Sequence, residues 1–496
     1  MMNFYGRKDE IRMISQWLKS PNAEFCHVRG RRRIGKTSIL EKVAEQYNTF
    51  FYSGFADEND LNCRTRIAEE WDKFTGINDL STRNNEYKSW KNIFSYITDH
   101  AKKNTEKKVI LIFDEIQWLA KKGSGVLGHL KREWEKHWQH FDNFKVILAG
   151  SSSKFFLNQV DNTKGVLYGL RTVADLNVKP FTLFETNEYY AKPIGWTKEQ
   201  TCLIYMMTGG VPYYLNQIKR NSKQDSNFFR IINQTFFTKS SIFLNELENI
   251  LFLDFRDNDA IVNVKNILHA LGQEGSTESN IVSKTGLPKT TVNTIISKLI
   301  DYKIIFRLYP MGRAAKKNTS GAKYIMRDPF LNFYFQILEP LSHRILENEK
   351  AMLFNGDVIT SDNGYFIQNF TGKAFELLVF NFLEDRRNLN CRMFKKLRIE
   401  NLDYKVGTYW KRKISQVDLI IESHIDRESR IIEIKWINQR ADISTPYIDQ
   451  LKDKKYLPSS EYTVSRFLLC SRGFTQNFFQ NVDENIHLMD INDLYP

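Results

Sequence analysis

The chain has 496 residues, 42% hydrophobic and 14% aromatic, which is material for real cores in about three domains at roughly 150 residues each. Its formal net charge of +13 favours a polyanionic partner such as nucleic acid, and also fits solubility alone. The five cysteines (Cys26, Cys63, Cys202, Cys391, Cys470) are scattered without a C-x-x-C pair, which excludes a disulfide framework and a zinc site and points to a reducing compartment.

The N-terminus, "MMNFYGRKDEIRM", is charged at once and has no apolar h-region. No apolar run nears the roughly 18 residues needed to cross a bilayer, so the expectation is a cytoplasmic protein without a membrane partner. Residues 25–30 read as a short strand entering a glycine loop, and "TSILEKVAEQY" as a helix with Ile39, Leu40 and Val43 on one face. Further apolar runs follow at 50–55, 107–119, 144–155 and 174–181. Near-continuous runs of this kind are strands buried on both faces, the mark of a parallel sheet with helices between. The first 195 residues are therefore expected to be α/β.

Residues 196–255 read as helical and contain "TGGVPYYLNQI". From 256 to 323 the order is helix, turn, short helix, a turn at Gly286-Leu287-Pro288, longer helix and apolar strand, the order of a winged helix-turn-helix. Its basic loop at 311–323 is the expected wing, and "LPKTTVNTIISKLI" the expected recognition helix. A helical linker is expected at 324–360, and a second α/β domain at 361–496.

The loop "GRRRIGKTS" carries the spacing G-x-x-x-x-G-K-[ST]. Glycines let backbone N–H groups turn toward phosphates, and the following helix presents its positive end. Gly30, Arg31, Arg32, Arg33, Ile34, Gly35, Lys36, Thr37 and Ser38 thus form the expected nucleotide cradle, with Lys36 on the phosphates and the Thr37 hydroxyl on Mg²⁺. Asp114, at the end of an apolar run, is expected as a second Mg²⁺ contact, and Glu115 as the base that polarises water. Ser151 is expected near the γ-phosphate or the attacking water, and Arg171 near the γ-phosphate. A plain serine loop and a surface arginine are the alternatives.

In the last domain "VDLIIESHIDRESRIIEIKW" spaces Asp418, Glu433 and Lys435 as D-x14-E-x-K across two strands. Asp418 and Glu433 are expected to converge on one metal, with Lys435 beside Glu433 on the same strand face and Glu376 approaching from a helix. Charged residues that are merely common in strands are the alternative; the basic residues of "KVGTYWKRK" (405–413) are expected to hold a phosphate backbone, with a solvated hairpin as the alternative there.

"GRRRIGKTS", "LIFDEIQWL", "ILAGSS", "LYGLRT" and "TGGVPYYL", in this order, resemble the archaeal-type ATPase family, an AAA+/STAND-like division of phosphate-loop NTPases. "FYGRKDEI" is similar to that family's opening segment, near the adenine. The resemblance implies a sheet order of 5-1-4-3-2, a lid, a winged helix and a nucleotide contact at Pro212. Gly372–Glu376, Gly407–Trp410 and Glu433–Trp436 resemble the PD-(D/E)xK nuclease-like domain that follows such ATPases. The implied function is a Mg²⁺-dependent ATPase coupled to a metal-dependent nuclease domain acting on nucleic acid, DNA rather than RNA, with a homo-oligomer left open. The competing readings are a nucleotide-controlled signalling switch and a DNA-binding regulator, either with an inert C-terminal scaffold.

Overall fold

A computed structural model of the chain describes residues 5–496 apart from 57, 78, 83–85, 105, 171–173, 223–226, 252–254, 256–257, 312–321, 348–363, 412–414, 455, 457 and 459–460. Arg171, most of the expected wing loop and Arg412 and Lys413 of the basic stretch 405–413 therefore lie outside the described residues. The chain divides into two compact units, 1–179 and 180–496.

The first unit is built on five strands: β1 (Glu24–Arg29), β2 (Thr49–Ser53), β3 (Val109–Asp114), β4 (Phe144–Gly150) and β5 (Ala174–Asn177). They are parallel throughout and ordered β2-β3-β4-β1-β5, the order implied by the family resemblance. The continuous apolar runs are explained by burial on both faces. In β3, Leu111 and Phe113 enter the core with Trp71, Phe94 and Trp138, while Ile110 and Ile112 enter the opposite core with Ile14, Ile39 and Leu40. Flanking helices supply those partners: α1 (Lys8–Lys19), α2 (Lys36–Ala44), α3 (Asp60–Thr75) and α4 (Trp90–Lys103). A short helix, α5 (Ile116–Leu119), follows β3 directly. Because every strand is parallel, the residues after β1, β3 and β4 emerge at one edge of the sheet. Strand order reverses at β1, and such switch points are where α/β sheets hold ligands.

In the second unit, α6 (Lys198–Thr208) is followed by α7 (Pro212–Asn221), whose first turn accepts Pro212 because a proline there forfeits no helical bond. Phe330 and Phe333, within the stretch expected as a linker, pack on Tyr214, Phe236 and Phe243 of this helical layer. Three helices follow in chain order before them: α8 (Asn258–Leu271), α9 (Glu278–Thr285) and α10 (Lys289–Asp301). An antiparallel pair, β6 (Ile305–Leu308) and β7 (Lys323–Met326), closes that segment, and Ser276 bridges to Tyr324.

The C-terminal sheet is ordered β12-β11-β10-β9-β8, from β8 (Lys405–Lys411), β9 (Ser415–Ser423), β10 (Glu428–Lys435), β11 (Thr463–Cys470) and β12 (Ile486–Asp490). β8, β9 and β10 form an antiparallel meander, while β10, β11 and β12 are parallel. Helix α11 (Gly364–Glu384) packs near this sheet through Phe375, whose ring lies 5.2 Å from that of Trp436. Gly407 has a local reason to be glycine: a Cβ there would meet Met311 Sδ. Among the described residues no helix is long and apolar enough to cross a membrane.

Candidate functional site

The loop after β1 takes its shape from residues at positive φ: Gly30 (154°), Arg33 (108°) and Gly35 (90°). A Cβ on Gly30 would stand 2.5 Å from both the Val178 carbonyl oxygen and Ile34 Cδ1, so only glycine fits. Val178 cannot move aside, since its N–H donates to the Arg29 carbonyl at 2.8 Å. α2 starts at Lys36 with Gly35 at its N-cap and no side-chain cap, the arrangement that presents N–H groups to an anion.

Lys36 is 4% exposed, and its Nζ donates to the Arg31 carbonyl at 3.1 Å. Burial holds its pKa below the ordinary lysine value, against the pull of Glu115 and Asp114. Thr37 Oγ1 donates to Asp114 Oδ2 at 2.5 Å, and Asp114 Oδ1 accepts the Glu115 N–H at 2.9 Å. Burial raises the Asp114 pKa; the Glu115 charge adds to this while Thr37 and Lys36 oppose it. A hydroxyl and a carboxylate touching at the sheet edge make an oxygen-only donor pair, which fits a hard cation such as Mg²⁺.

Glu115 sits just past β3 in the left-handed region (φ 49°), a conformation that costs a non-glycine residue about 1–3 kcal/mol and persists where the surrounding structure over-determines it. Its Oε2 accepts from Ser151 Oγ at 2.7 Å. The structure thus brings Lys36, Thr37, Asp114, Glu115 and Ser151 together. Ile34 is buried, with its carbonyl turned to Arg7, while Ser38 is exposed on the first turn of α2. Pro212 belongs to the second unit.

Arg7 is a residue the motifs missed. It is 3% exposed, and its guanidinium donates to the Ile34 carbonyl at 2.8 Å, the Lys179 carbonyl at 2.7 Å and Glu10 at 2.9 Å. It fastens the opening segment to the loop after β1. An arginine in "YGRKDE" was visible in the sequence, but its reach to positions 27 and 172 residues away was not.

In the C-terminal unit Asp418 Oδ2 accepts the Ile434 N–H at 3.0 Å, which ties β9 to β10 beside Glu433. Glu433 is 2% exposed. Lys435 Nζ lies 2.6 Å from its Oε1 and Lys454 Nζ 3.2 Å from its Oε2. The second contact has ion-pair distance without hydrogen-bond geometry, and Oε2 otherwise has no partner among the described residues. Lys454 was not foreseen. On α11, Glu376 accepts from Lys373 at 3.0 Å, an i,i+3 pair legible from spacing. Burial, and then the Asp418 charge, pushes Glu376 up to about 7. Burial, and then Glu433, raises Asp418. Lys435 is raised in spite of burial, by Asp418 and Glu433. Asp418 therefore feels the Glu433 charge, Glu376 that of Asp418, and Lys435 that of all three carboxylates. Among the described residues, no group of three or more His, Cys, Asp or Glu is spaced to hold a metal ion. The donor chemistry of Asp418 and Glu433 fits a hard cation, but one bound at Glu433 has to compete with two lysines.

Residues 4–218 match the model of a family described as an ATPase domain predominantly from Archaea. Residues 334–445 match a second family, described as archaeal and bacterial proteins of unknown function. An uncharacterized protein of Methanocaldococcus jannaschii is 26% identical over 92% of this chain and 93% of its own length. Similar solved structures include the Walker-type ATPase of Pyrococcus abyssi (19% identity, 67% of this chain and 96% of that one, TM-score 0.49). The ORC2 protein of Aeropyrum pernix in ADPNP–ADP complexes is another (11% identity, 70% and 98%, TM-score 0.40).

Proposed function

We propose that this ATPase hydrolyses ATP with Mg²⁺, using Glu115 as general base, and that its C-terminal domain cleaves phosphodiester bonds in nucleic acid, DNA rather than RNA. The observation that carries the second half is geometric: Asp418 accepts the Ile434 N–H beside buried Glu433, Lys435 lies 2.6 Å from Glu433, and Glu376 shares a cleft with Asp418. A carboxylate raised by burial and then by the charge of a neighbouring carboxylate, as Asp418 is by Glu433, is the kind of group a divalent cation relieves, and a lysine beside it stabilises charge developing on a phosphate. When bound, such a cation would lower the pKa of a bound water and offset charge on the scissile phosphate. Lys373, Glu376 and Asp418 line a cleft that also takes in Lys323 and Trp410, giving a polyanion a basic wall and an aromatic face. We assign 256–323 to a winged helix, on the support of three successive helices and the β6–β7 pair; it is a second candidate contact for nucleic acid.

The test is a gel assay of plasmid and single-stranded DNA and of RNA with Mg²⁺ or Mn²⁺, with and without ATP. Cleavage by the native chain that disappears in Asp418→Ala and Lys435→Ala, with ATP hydrolysis retained, supports the reading. Intact nucleic acid in every lane overturns it.

One observation favours a second reading, a nucleotide-controlled switch whose C-terminal domain is a scaffold. Lys435 and Lys454 approach both oxygens of Glu433, which is how a buried carboxylate is neutralised when it has no metal to bind. In that case nucleic acid is bound or ignored but never cut.

A further inference from the structure

Glu115 is held by more than the motif it belongs to. Gln117, two residues on in α5, turns its amide back toward it. Gln117 Nε2 donates to Glu115 Oε2 and, at 3.3 Å, to Ser151 Oγ. Ser151 Oγ in turn donates to the same Glu115 oxygen at 2.7 Å. Three side chains, two from the β3–α5 turn and one from the end of β4, thus close a triangle on one carboxylate oxygen. The orientation of the amide follows from its neighbour: flipped, it would point its oxygen at a carboxylate. With Nε2 committed to Glu115, Gln117 Oε1 is buried and has no hydrogen-bond partner among the described residues.

A leucine or methionine would fill the same space without an unmet acceptor, so packing alone does not account for a glutamine 6% exposed at this position. The surroundings also make room for it. Gly150 ends β4, and a Cβ there would stand 2.5 Å from Gln117 Oε1. Gly54 ends the neighbouring edge, and a Cβ there would stand 2.9 Å from the Glu115 carbonyl oxygen. The left-handed backbone at Glu115 and two glycines beside it are the conditions under which residues 115 and 117 can face each other.

We propose that Gln117 is the positioning residue for Glu115. Together with Ser151 it occupies Oε2, fixing the carboxylate rotation and leaving Oε1 to take the proton of the attacking water. That water's oxygen forms the new bond to the γ-phosphorus, and the β–γ bridging oxygen leaves with its electron pair as ADP. This inference rests on the reading of Glu115 as general base. Gln117 touches no reactant; it acts through Glu115.

The experiment measures ATP turnover by the full-length protein in four forms: native, Gln117→Leu, Gly150→Ala and the double variant, with Glu115→Gln alongside. In Gln117→Leu, kcat should fall about tenfold to a hundredfold, a part of what a whole acid–base group contributes, with the KM for ATP within about twofold of native. Gly150→Ala should lower kcat in the same way, because its methyl group displaces the amide. In the Gln117→Leu background it should lower kcat no further, since the amide that held Glu115 is already gone even though the methyl group then meets the leucine; two independent losses of turnover would instead multiply. A native kcat in Gln117→Leu, or a KM that rises as far as kcat falls, overturns the proposal. If Gln117→Leu does not fold, Gly150→Ala alone decides, and a native kcat there overturns it. Inactive Glu115→Gln beside native turnover in Gln117→Leu removes only the positioning role. Native turnover in Glu115→Gln removes the general-base reading as well.

Discussion

His27→Leu should stabilise the protein, and by more at pH 5 than at pH 7. His27 is 1% exposed on β1, between the rings of Phe25 and Phe156, and neither ring nitrogen has a hydrogen-bond partner among the described residues. Burial, and then the Arg29 charge, lowers its pKa to about 4, while Asp161 pulls the other way. The unfolded ring titrates near its ordinary value of 6.5, so between pH 6.5 and 4 the unfolded chain binds the extra proton. Stability from the neutral ring is therefore complete above pH 6.5 and is lost as pH falls toward 4. A shift of this size corresponds to about 3 kcal/mol in total, of which about 2 kcal/mol is gone by pH 5. At pH 7 the ring is neutral and carries one unmet N–H, and its removal should return about 1–2 kcal/mol. Leucine is close in size and carries no polar atom. The assay is urea denaturation of native and variant chains at pH 7 and pH 5. The gap between variant and native should widen by about 2 kcal/mol on acidification. A gap that is the same at both pH values refutes the argument, for it would mean that His27 gains its proton without unfolding its strand.

Arg7→Ala removes charge-assisted bonds to two carbonyls and to Glu10, and should destabilise the N-terminal unit by about 3–5 kcal/mol; a melting curve checks this, and ATP affinity should fall with it because Ile34 belongs to the phosphate loop. Lys36→Ala should abolish ATP binding in a fluorescent-nucleotide titration while leaving the melting temperature near native, since among the described residues Lys36 bonds only the Arg31 carbonyl. If nucleic acid binds through the basic surface, affinity should drop steeply between roughly 50 and 200 mM salt in a mobility-shift assay, and a flat response counts against that partner.

The parts of the fold that show in the sequence are those where burial acts on consecutive residues. β3 is readable because Ile110, Leu111, Ile112 and Phe113 are each buried, in alternation, by cores on both faces. Asp114 and Glu115 were readable because the apolar run stops at them. The placement of β1 between β4 and β5 was not contained in composition or periodicity; it came only with the family resemblance. What stayed hidden are contacts made across the chain by residues with no pattern of their own. Arg7 meets Ile34 and Lys179 only once the loop after β1 has turned, and Lys454 meets Glu433 only from beyond β10. Gln117 stood inside a motif that had been singled out, yet its role depends on the left-handed turn at Glu115, which nothing in the residue order requires.

The two sites hold their lysines differently, and this bears on how each responds to a ligand. Lys36 bonds a neutral carbonyl, so a phosphate replaces a weaker partner with a charged one, and charge-assisted bonds are roughly twice as strong. Lys435 is already 2.6 Å from Glu433, and Lys454 holds the other oxygen at 3.2 Å. A cation that binds Glu433 must first displace at least one ammonium group from a carboxylate that is 2% exposed. Lys454 is the cheaper of the two to lose, because its contact is longer and lacks hydrogen-bond geometry. Lys454→Met keeps the aliphatic stem and removes the competing charge. In the variant the Mg²⁺ or Mn²⁺ concentration giving half-maximal effect should fall, by about tenfold if the lost pair is worth about 1.4 kcal/mol. Isothermal titration with Mn²⁺ reads this directly, whether or not the domain cuts nucleic acid, with Asp418→Ala as the form in which this site's share of the heat should vanish while any heat from Thr37 and Asp114 remains. Unchanged Mn²⁺ affinity in Lys454→Met means that the cation, if it binds here, does so without contacting Glu433 Oε2.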